Sequence, residues 1–261
     1  RPSVLLYGGS IASGCHRGKK LDVVSAFEAW GEKVKGEISE EDYQSIIQKA
    51  CPGAGACGGM YTANTMSAAI EAMGMSLPYG ASNPALSSDK NQECQGIANA
   101  LCHLMAEDIK PRDVVTLSSL KNAFRLVTVL GGSTNAVLHL LAIAHSADIK
   151  LDLETLQNIS NQTPLLADLK PSGRYLMEDL HQAGGIPTVM KLMLDHGLLD
   201  GSCLTVTGRT VAENLAHIHP LADNQRVIKS INRPIKKQGH IQVLTGRLAP
   251  EGSVAKITGK E

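Results

Sequence analysis

The chain has 261 residues, with 25 basic and 25 acidic side chains, so its formal net charge is zero. At 43% hydrophobic and 19% charged it can bury a core, which excludes a disordered chain, and the length suits one large domain or two small ones. Balanced charge without a Lys/Arg run excludes a nucleic-acid partner, and no apolar stretch nears the roughly 20 residues that span a bilayer, which excludes a membrane-crossing role.

Residues 4–7 are apolar and lead into Gly8-Gly9, which predicts a short buried strand ending in a loop. Ser39 ahead of Glu40-Glu41-Asp42 caps a helix that should run to Ala50, where Pro52 and Gly53 follow. A second helix is expected over residues 61–73, closed by Gly74. Residues 91–108 form the next, stopped by Pro111, with Cys94, Ile97, Ala98, Leu101, Leu104 and Met105 at helical spacing. Helices over 120–130 and 134–147 flank Gly131-Gly132-Ser133, and the second is apolar nearly all round, so burial on most sides is expected. Shorter helices follow at 152–160 and at 188–196, the latter ended by Gly197. Thr210 with Glu213 makes a capping box for one through His217. Past Pro220 the texture changes to short β-rich runs at 226–229, 240–245 and 253–258, separated by Gly and Pro. The fold class is therefore α/β: a helix-rich α/β domain over residues 1–232, then the first strands of a C-terminal β-barrel-like domain over 233–261. The latter is too short to fold alone. The chain opens at Arg1-Pro2 without a Met and stops at Gly259-Lys260-Glu261, so it is expected to be an internal piece of something longer.

Six cysteines are too sparse for a disulfide scaffold, which makes a reduced compartment the default. Cys94 and Cys102 read as buried small hydrophobes on their helix, as does Cys203 in a strand over 202–207. Cys15, in a polar loop, reads as an exposed thiol. Cys51 and Cys57 stand in CPGAGACGGM, where residues 53–58 match G-x-G-x-x-G. A dinucleotide site is rejected, because a polar helix and Pro52 precede the loop instead of a strand, and Glu71 falls in mid-helix. Neither Gly18-Lys19 nor Gly259-Lys260 completes a P-loop. The glycines around Cys57 let backbone approach a ligand closely, and the helix that follows favours negative charge there. A catalytic nucleophile, a metal or cluster ligand and a redox thiol all fit, as does a plain glycine turn with a buried Cys. C-x5-C is not a zinc spacing.

The segments CPGAGACGGMYTANTMSAAIEAMGMSLP, GGSTNAVLHL, LADLKPSGRYLMEDLHQAGG and LAPEGSVAKITGKE occur in this order. Together they resemble the dihydroxy-acid dehydratase family, within the wider group of iron–sulfur and magnesium-dependent dehydratases that includes 6-phosphogluconate dehydratase. The resemblance implies a hydro-lyase that converts a small 2,3-dihydroxy carboxylate into a 2-keto acid in branched-chain amino-acid (valine and isoleucine) biosynthesis. It implies a [2Fe–2S] cluster on three cysteines, Mg2+ on the carboxylate side of the substrate, and a serine base. Carried over, Cys57 matches the third cluster cysteine and Cys51 a non-ligating neighbour. Ser133, Thr134 and Asn135 match a turn suited to substrate or cofactor contact, or to plain N-capping. His181 is expected to serve packing. The family's other two cluster cysteines and part of its magnesium ligands match nothing upstream, and its serine base and last magnesium glutamate match nothing downstream. The chain alone is thus expected to be inactive. The family implies a homodimer, in bacterial cytoplasm, mitochondria or plastids. A catalytically dead truncated paralogue paired with a full-length subunit, and a sugar-acid dehydratase of the same group, are the competing readings.

Overall fold

The computed structural model describes residues 1–258. A hairpin of β1 (Gly14–His16) and β2 (Lys19–Leu21) leads into the helical pair α1 (Val23–Val34) and α2 (Glu40–Ala50). Then follow α3 (Thr62–Met73), α4 (Ser88–Ala106), α5 (Pro111–Val114), α6 (Leu117–Leu130) and α7 (Asn135–Ser146). Next come α8 (Leu153–Gln162), α9 (Met177–Gln182), α10 (Gly185–Asp195) and α11 (Val211–Leu215), and a second hairpin of β3 (Ile241–Gly246) and β4 (Ala249–Lys256) ends the described chain. Both sheets are two-stranded and antiparallel, so helices dominate this α/β fold. Among the described residues no helix is long and apolar enough to cross a membrane.

α3 and α6 lie against each other at the centre. Ala68, Ala69 and Ala72 of α3 are fully buried, and such small side chains let two helices approach closely. One face of the pair (Ala68, Ala72, Leu126, Val129, Leu130) packs on the segment around Leu166–Leu169 and on α9, α10 and α11. The other (Ala69, Met73, Leu120, Phe124, Val127) packs on α7, α8 and Ile241 of β3. The core is aliphatic, with Phe124 its one fully buried aromatic ring.

Most helix ends follow their sequence signals. Ser39 accepts from the Asp42 N–H, Asp152 from that of Thr155, and Thr210 and Glu213 complete their capping box, although that helix stops at Leu215 rather than His217. Gly74 closes α3 in the left-handed conformation. α4 starts three residues earlier than expected, on a Ser87 cap.

Several expectations fail for physical reasons. Residues 4–7 form no strand. Leu5 and Leu6 are each 46% exposed, and Leu5 makes a single backbone bond, to Met75, with no ladder to join. Cys94 and Cys102 are exposed. The buried stripe of α4 begins with Lys90 and Glu93 and continues to Leu104, because Lys90 Nζ satisfies its charge on Glu93 (2.6 Å) and on the carbonyls of Tyr7 and Gly80. A buried ion pair thus occupies the face that an apolar pattern assigns to the cysteines. Cys203 is buried, but residues 202–207 are no strand: the chain doubles back at Gly208, leaving one bridge, Leu204 to Thr210. α7 buries only Ala136, Val137, Leu140 and Ala144; Leu138 is 66% exposed, since α3 and α6 cover one side only.

Cys15 is exposed, as expected, but within β1, where Arg17 and Gly18 both take positive φ and close a tight hairpin. α1, absent from the expected elements, is capped reciprocally by Asp22 and Ser25. The Gly259-Lys260-Glu261 end lies outside the described residues.

Candidate functional site

Cys57 sits in a loop built from distant parts of the chain. Residues 9–11 thread alongside it: the Ile11 N–H donates to Ala56 O (2.7 Å), the Ala56 N–H to Gly9 O (2.9 Å) and the Ala85 N–H to Ser10 O (2.9 Å). Gly55 and Gly9 permit this contact. Both have positive φ, and a Cβ on Gly55 would stand 2.5 Å from Ile11 N, one on Gly9 2.6 Å from Ala85 N. A Cβ on Gly59 would meet the Tyr61 ring at 2.6 Å. The glycines therefore make room first for the protein's own backbone and for Tyr61.

Two supports fix the far side of the loop. Asn64, fully buried on the first turn of α3, donates through Nδ2 to Cys57 O (2.5 Å) and Gly59 O (2.6 Å) and accepts the Tyr7 hydroxyl at Oδ1 (2.7 Å). Residues 170–177 form a strap: Lys170 O receives the Met60 N–H (2.6 Å), and Gly58 O receives the Met177 N–H (2.7 Å). Lys170 Nζ is 2.7 Å from Asp22 Oδ2. Burial pushes the Asp22 carboxyl up, but Lys170 and Ser25 together outweigh it and leave it below the usual range.

The result is an exposed thiol on a rigid base. Cys57 is exposed, and its Sγ takes part in no hydrogen bond among the described residues. The groups around it respond to burial and to Cys57. Tyr7 is pushed up to about 12, by burial first and then by Cys57, and the neighbouring Cys51 thiol is raised by burial, Cys57 and Asp22. Tyr61 is also raised, by burial and then by Asp22 and Cys57, and its buried hydroxyl has no partner among the described residues. Those residues contain no group of three His, Cys, Asp or Glu placed to hold a metal ion. As a donor set, the loop suits a thiolate-bound cofactor as a single ligand and does not form a closed site.

The second motif comes close to the same helix. Ser133 Oγ lies 3.2 Å from Thr62 Oγ1, the Ser133 N–H donates to Thr65 Oγ1 (3.0 Å), and Asn135 Nδ2 donates to Thr62 Oγ1 (2.8 Å). The Asn135 N–H donates to Ser133 Oγ (3.2 Å), one residue ahead of the N-cap, while the N-cap Thr134 makes no capping bond through its side chain. Ser133 and Asn135 thus join the first turn of the helix that follows Cys57. A cleft lined by Gly131, Asp168, Ser172, Lys236 and Thr258 opens beside this turn.

The family model described as dihydroxy-acid/6-phosphogluconate dehydratase N-terminal matches residues 1–214, and the corresponding C-terminal model matches residues 226–261. The chain belongs to the dihydroxy-acid/6-phosphogluconate dehydratase family. It is 60% identical to a dihydroxy-acid dehydratase of Flavobacterium psychrophilum, 56% to one of Francisella tularensis subsp. novicida and 54% to a chloroplastic one of Arabidopsis thaliana. Each match covers 100% of this chain and 47%, 47% and 43% of those relatives, so the chain spans about half the length of the dehydratases it matches.

His181 Nε2 lies 3.2 Å from Asp89 Oδ2 on α4, and no hydrogen bond joins it to the Cys57 loop among the described residues. Glu71, set aside as a ribose ligand, is buried in α3 and accepts the N–H groups of Tyr79 (2.9 Å) and Ala81 (2.8 Å). Burial pushes its carboxyl up to about 8 against those two bonds. Sequence reasoning did not single out Asn64, Tyr7 or the Lys170–Asp22 pair. Asn64 carried a usable signal, since an amide beside Ser67, Ala68 and Ala72 in a small-residue helix must find partners if buried.

Proposed function

We propose that the whole protein dehydrates a small 2,3-dihydroxy carboxylate, of the 2,3-dihydroxy-3-methylbutanoate type, to the 2-keto acid in branched-chain amino-acid biosynthesis. The observation that carries this reading is the exposed, unbonded thiol of Cys57 on a base braced by Asn64 and the 170–177 strap. Family membership supports it, together with the name shared by the relatives compared above.

In this reading Cys57 supplies one thiolate to a [2Fe–2S] cluster. When bound, the cluster provides a Lewis-acidic iron for the departing 3-hydroxyl. Asn64 holds the carbonyls on both sides of Gly58, so the Sγ is presented without rearrangement. Ser133, Thr134 and Asn135 offer hydroxyl and amide groups to the substrate or to the cofactor's surroundings. Mg2+ and the serine base are assigned no residue of this chain. A homodimer, located in the cytoplasm of a bacterium or in a mitochondrion or plastid of a eukaryote, completes the proposal, as does a division near residue 232 with the β3–β4 hairpin starting a second unit.

The test is anaerobic reconstitution of the complete protein with iron and sulfide, followed by visible absorbance and keto-acid assays on the branched-chain dihydroxy acids and on 6-phosphogluconate. Cys57→Ser should lose both the cluster bands and the keto acid. Retention of both by Cys57→Ser would refute the assignment of Cys57, and turnover confined to the phosphorylated sugar acid would refute the substrate.

A further inference from the structure

Gly131 caps the C-terminus of α6, and the carbonyls of Gly131 and Gly132 lie just past the negative end of that helix. Both are held from the C-terminal hairpin. Lys256 Nζ, at the end of β4, donates to Gly131 O at 2.8 Å, and His240 Nε2, just ahead of β3, is 2.7 Å from Gly132 O. His240 is 0% exposed. Lys256 is half-buried and makes no ion pair among the described residues, so the helix terminus is its counter-charge.

The hairpin does not need these bonds to stay attached. Its backbone is pinned to α8 by the Gly239 N–H on Ser160 O (2.7 Å), by Ser160 Oγ on Ile241 O (2.5 Å) and by the Val243 N–H on Gln157 Oε1 (2.6 Å). A Cβ on Gly239 would fall 2.2 Å from Ser160 Oγ, so that approach is as close as backbone allows. What the two extra donors add is a grip on the residues immediately before Ser133. From there the contacts run to Thr62 and Thr65 on the first turn of α3.

We propose that Lys256 and His240 are positioning residues that set the turn over Ser133 to Asn135 against the start of α3, so that the C-terminal hairpin governs how that turn seats on the helix that follows Cys57. The catalytic consequence rests on the role proposed above for Ser133 and Asn135; the mechanical one does not. Neither residue touches the Cys57 loop in the contacts described, so each acts through the turn. Removing the Lys256 ammonium frees Gly131 O and lets the following residues fluctuate, while the α8 anchors keep the hairpin in place.

The test is amide hydrogen exchange, resolved by NMR or by fragmentation mass spectrometry, on the complete protein. Lys256→Met and the milder Lys256→Gln should speed exchange at the Ser133 and Asn135 amides about tenfold relative to the buried amides of α8. Lys256→Arg should restore it. Lys191→Met, which removes an ammonium from Asp195 on α10, should change nothing at the turn. Failure of the dehydratase reading would show in the keto-acid assay and leave this pattern intact. Unchanged exchange at Ser133 and Asn135 in Lys256→Met and Lys256→Gln, or acceleration shared equally with α8, would overturn the proposal.

Discussion

Replacing Asn64 with alanine removes two donors and one acceptor from the base of the Cys57 loop, and each of the three partners is a group of the protein. The Gly59 carbonyl is buried and cannot recover its bond from water, a loss of about 1–3 kcal/mol. The Cys57 carbonyl and the Tyr7 hydroxyl are partly exposed and can rehydrate, so each contributes nearer ~0.5–1 kcal/mol. The sum is about 3 kcal/mol, which for a chain of this size lowers the melting midpoint by roughly 6–12 °C. Circular dichroism melts and urea titrations of wild type and Asn64→Ala measure it directly. Asn64→Asp keeps the shape but turns an acceptor toward two carbonyl oxygens. Its carboxyl would be held above its ordinary range, so its deficit should grow as pH rises through that raised value. A midpoint shift below about 3 °C for Asn64→Ala would refute the reasoning, because it would mean that the loop keeps its form without the amide.

Two further outcomes follow from the same geometry. The opposing slopes of His240 and Glu71 cancel between the ordinary carboxyl and histidine values, so stability should be greatest on the mildly acid side and decline both below it and from there through neutral pH. His240, held down to about 4 chiefly by burial, withdraws its contribution as pH falls below the ordinary histidine value. Glu71, held up to about 8 by burial, withdraws its own as pH rises from the ordinary carboxyl value toward 8, and Glu71→Gln should flatten that alkaline limb in urea titrations across pH. Gly55→Ala places a methyl 2.5 Å from Ile11 N at a positive φ, so it should displace the threaded segment. It should also cut the cluster content of the reconstituted complete protein severalfold, read by visible absorbance; unaltered loading would show that the thread is dispensable.

Helix ends were legible in the sequence because capping is local: Ser39, Asp152, Thr210 and Gly74 act on residues within one turn of themselves. The position of Cys57 before the start of α3 was equally readable. What escaped depends on partners far along the chain. Lys90 and Glu93 look like a solvated pair until Tyr7, Gly80 and Asn83 close over them, and that closure moves the buried face of α4 away from the cysteines. Residues 4–7 look like a core strand until no neighbour pairs with them. α1 was missed although Val23, Phe27, Trp30 and Val34 recur at helical spacing, and the structure leaves that stripe uncovered: Phe27, Trp30 and Val34 are 72%, 55% and 68% exposed and only Ala29 of the helix is buried. At the site, the motif named the thiol but not its brace, because Lys170 meets Asp22 across 148 positions of sequence.

That last separation bears on the order in which the protein is built. The Asn64 bonds to Cys57 and Gly59 are local, and the thread at residues 9–11 with its pairing to Ala85 needs only the early part of the chain, but the strap from Lys170 to Met177 must arrive from far downstream. Contacts of such long range carry the cost of closing large loops and form late. The seat of Cys57 is therefore a product of the finished fold. A nascent chain released before the strap is synthesised would display the thiol but not hold it still.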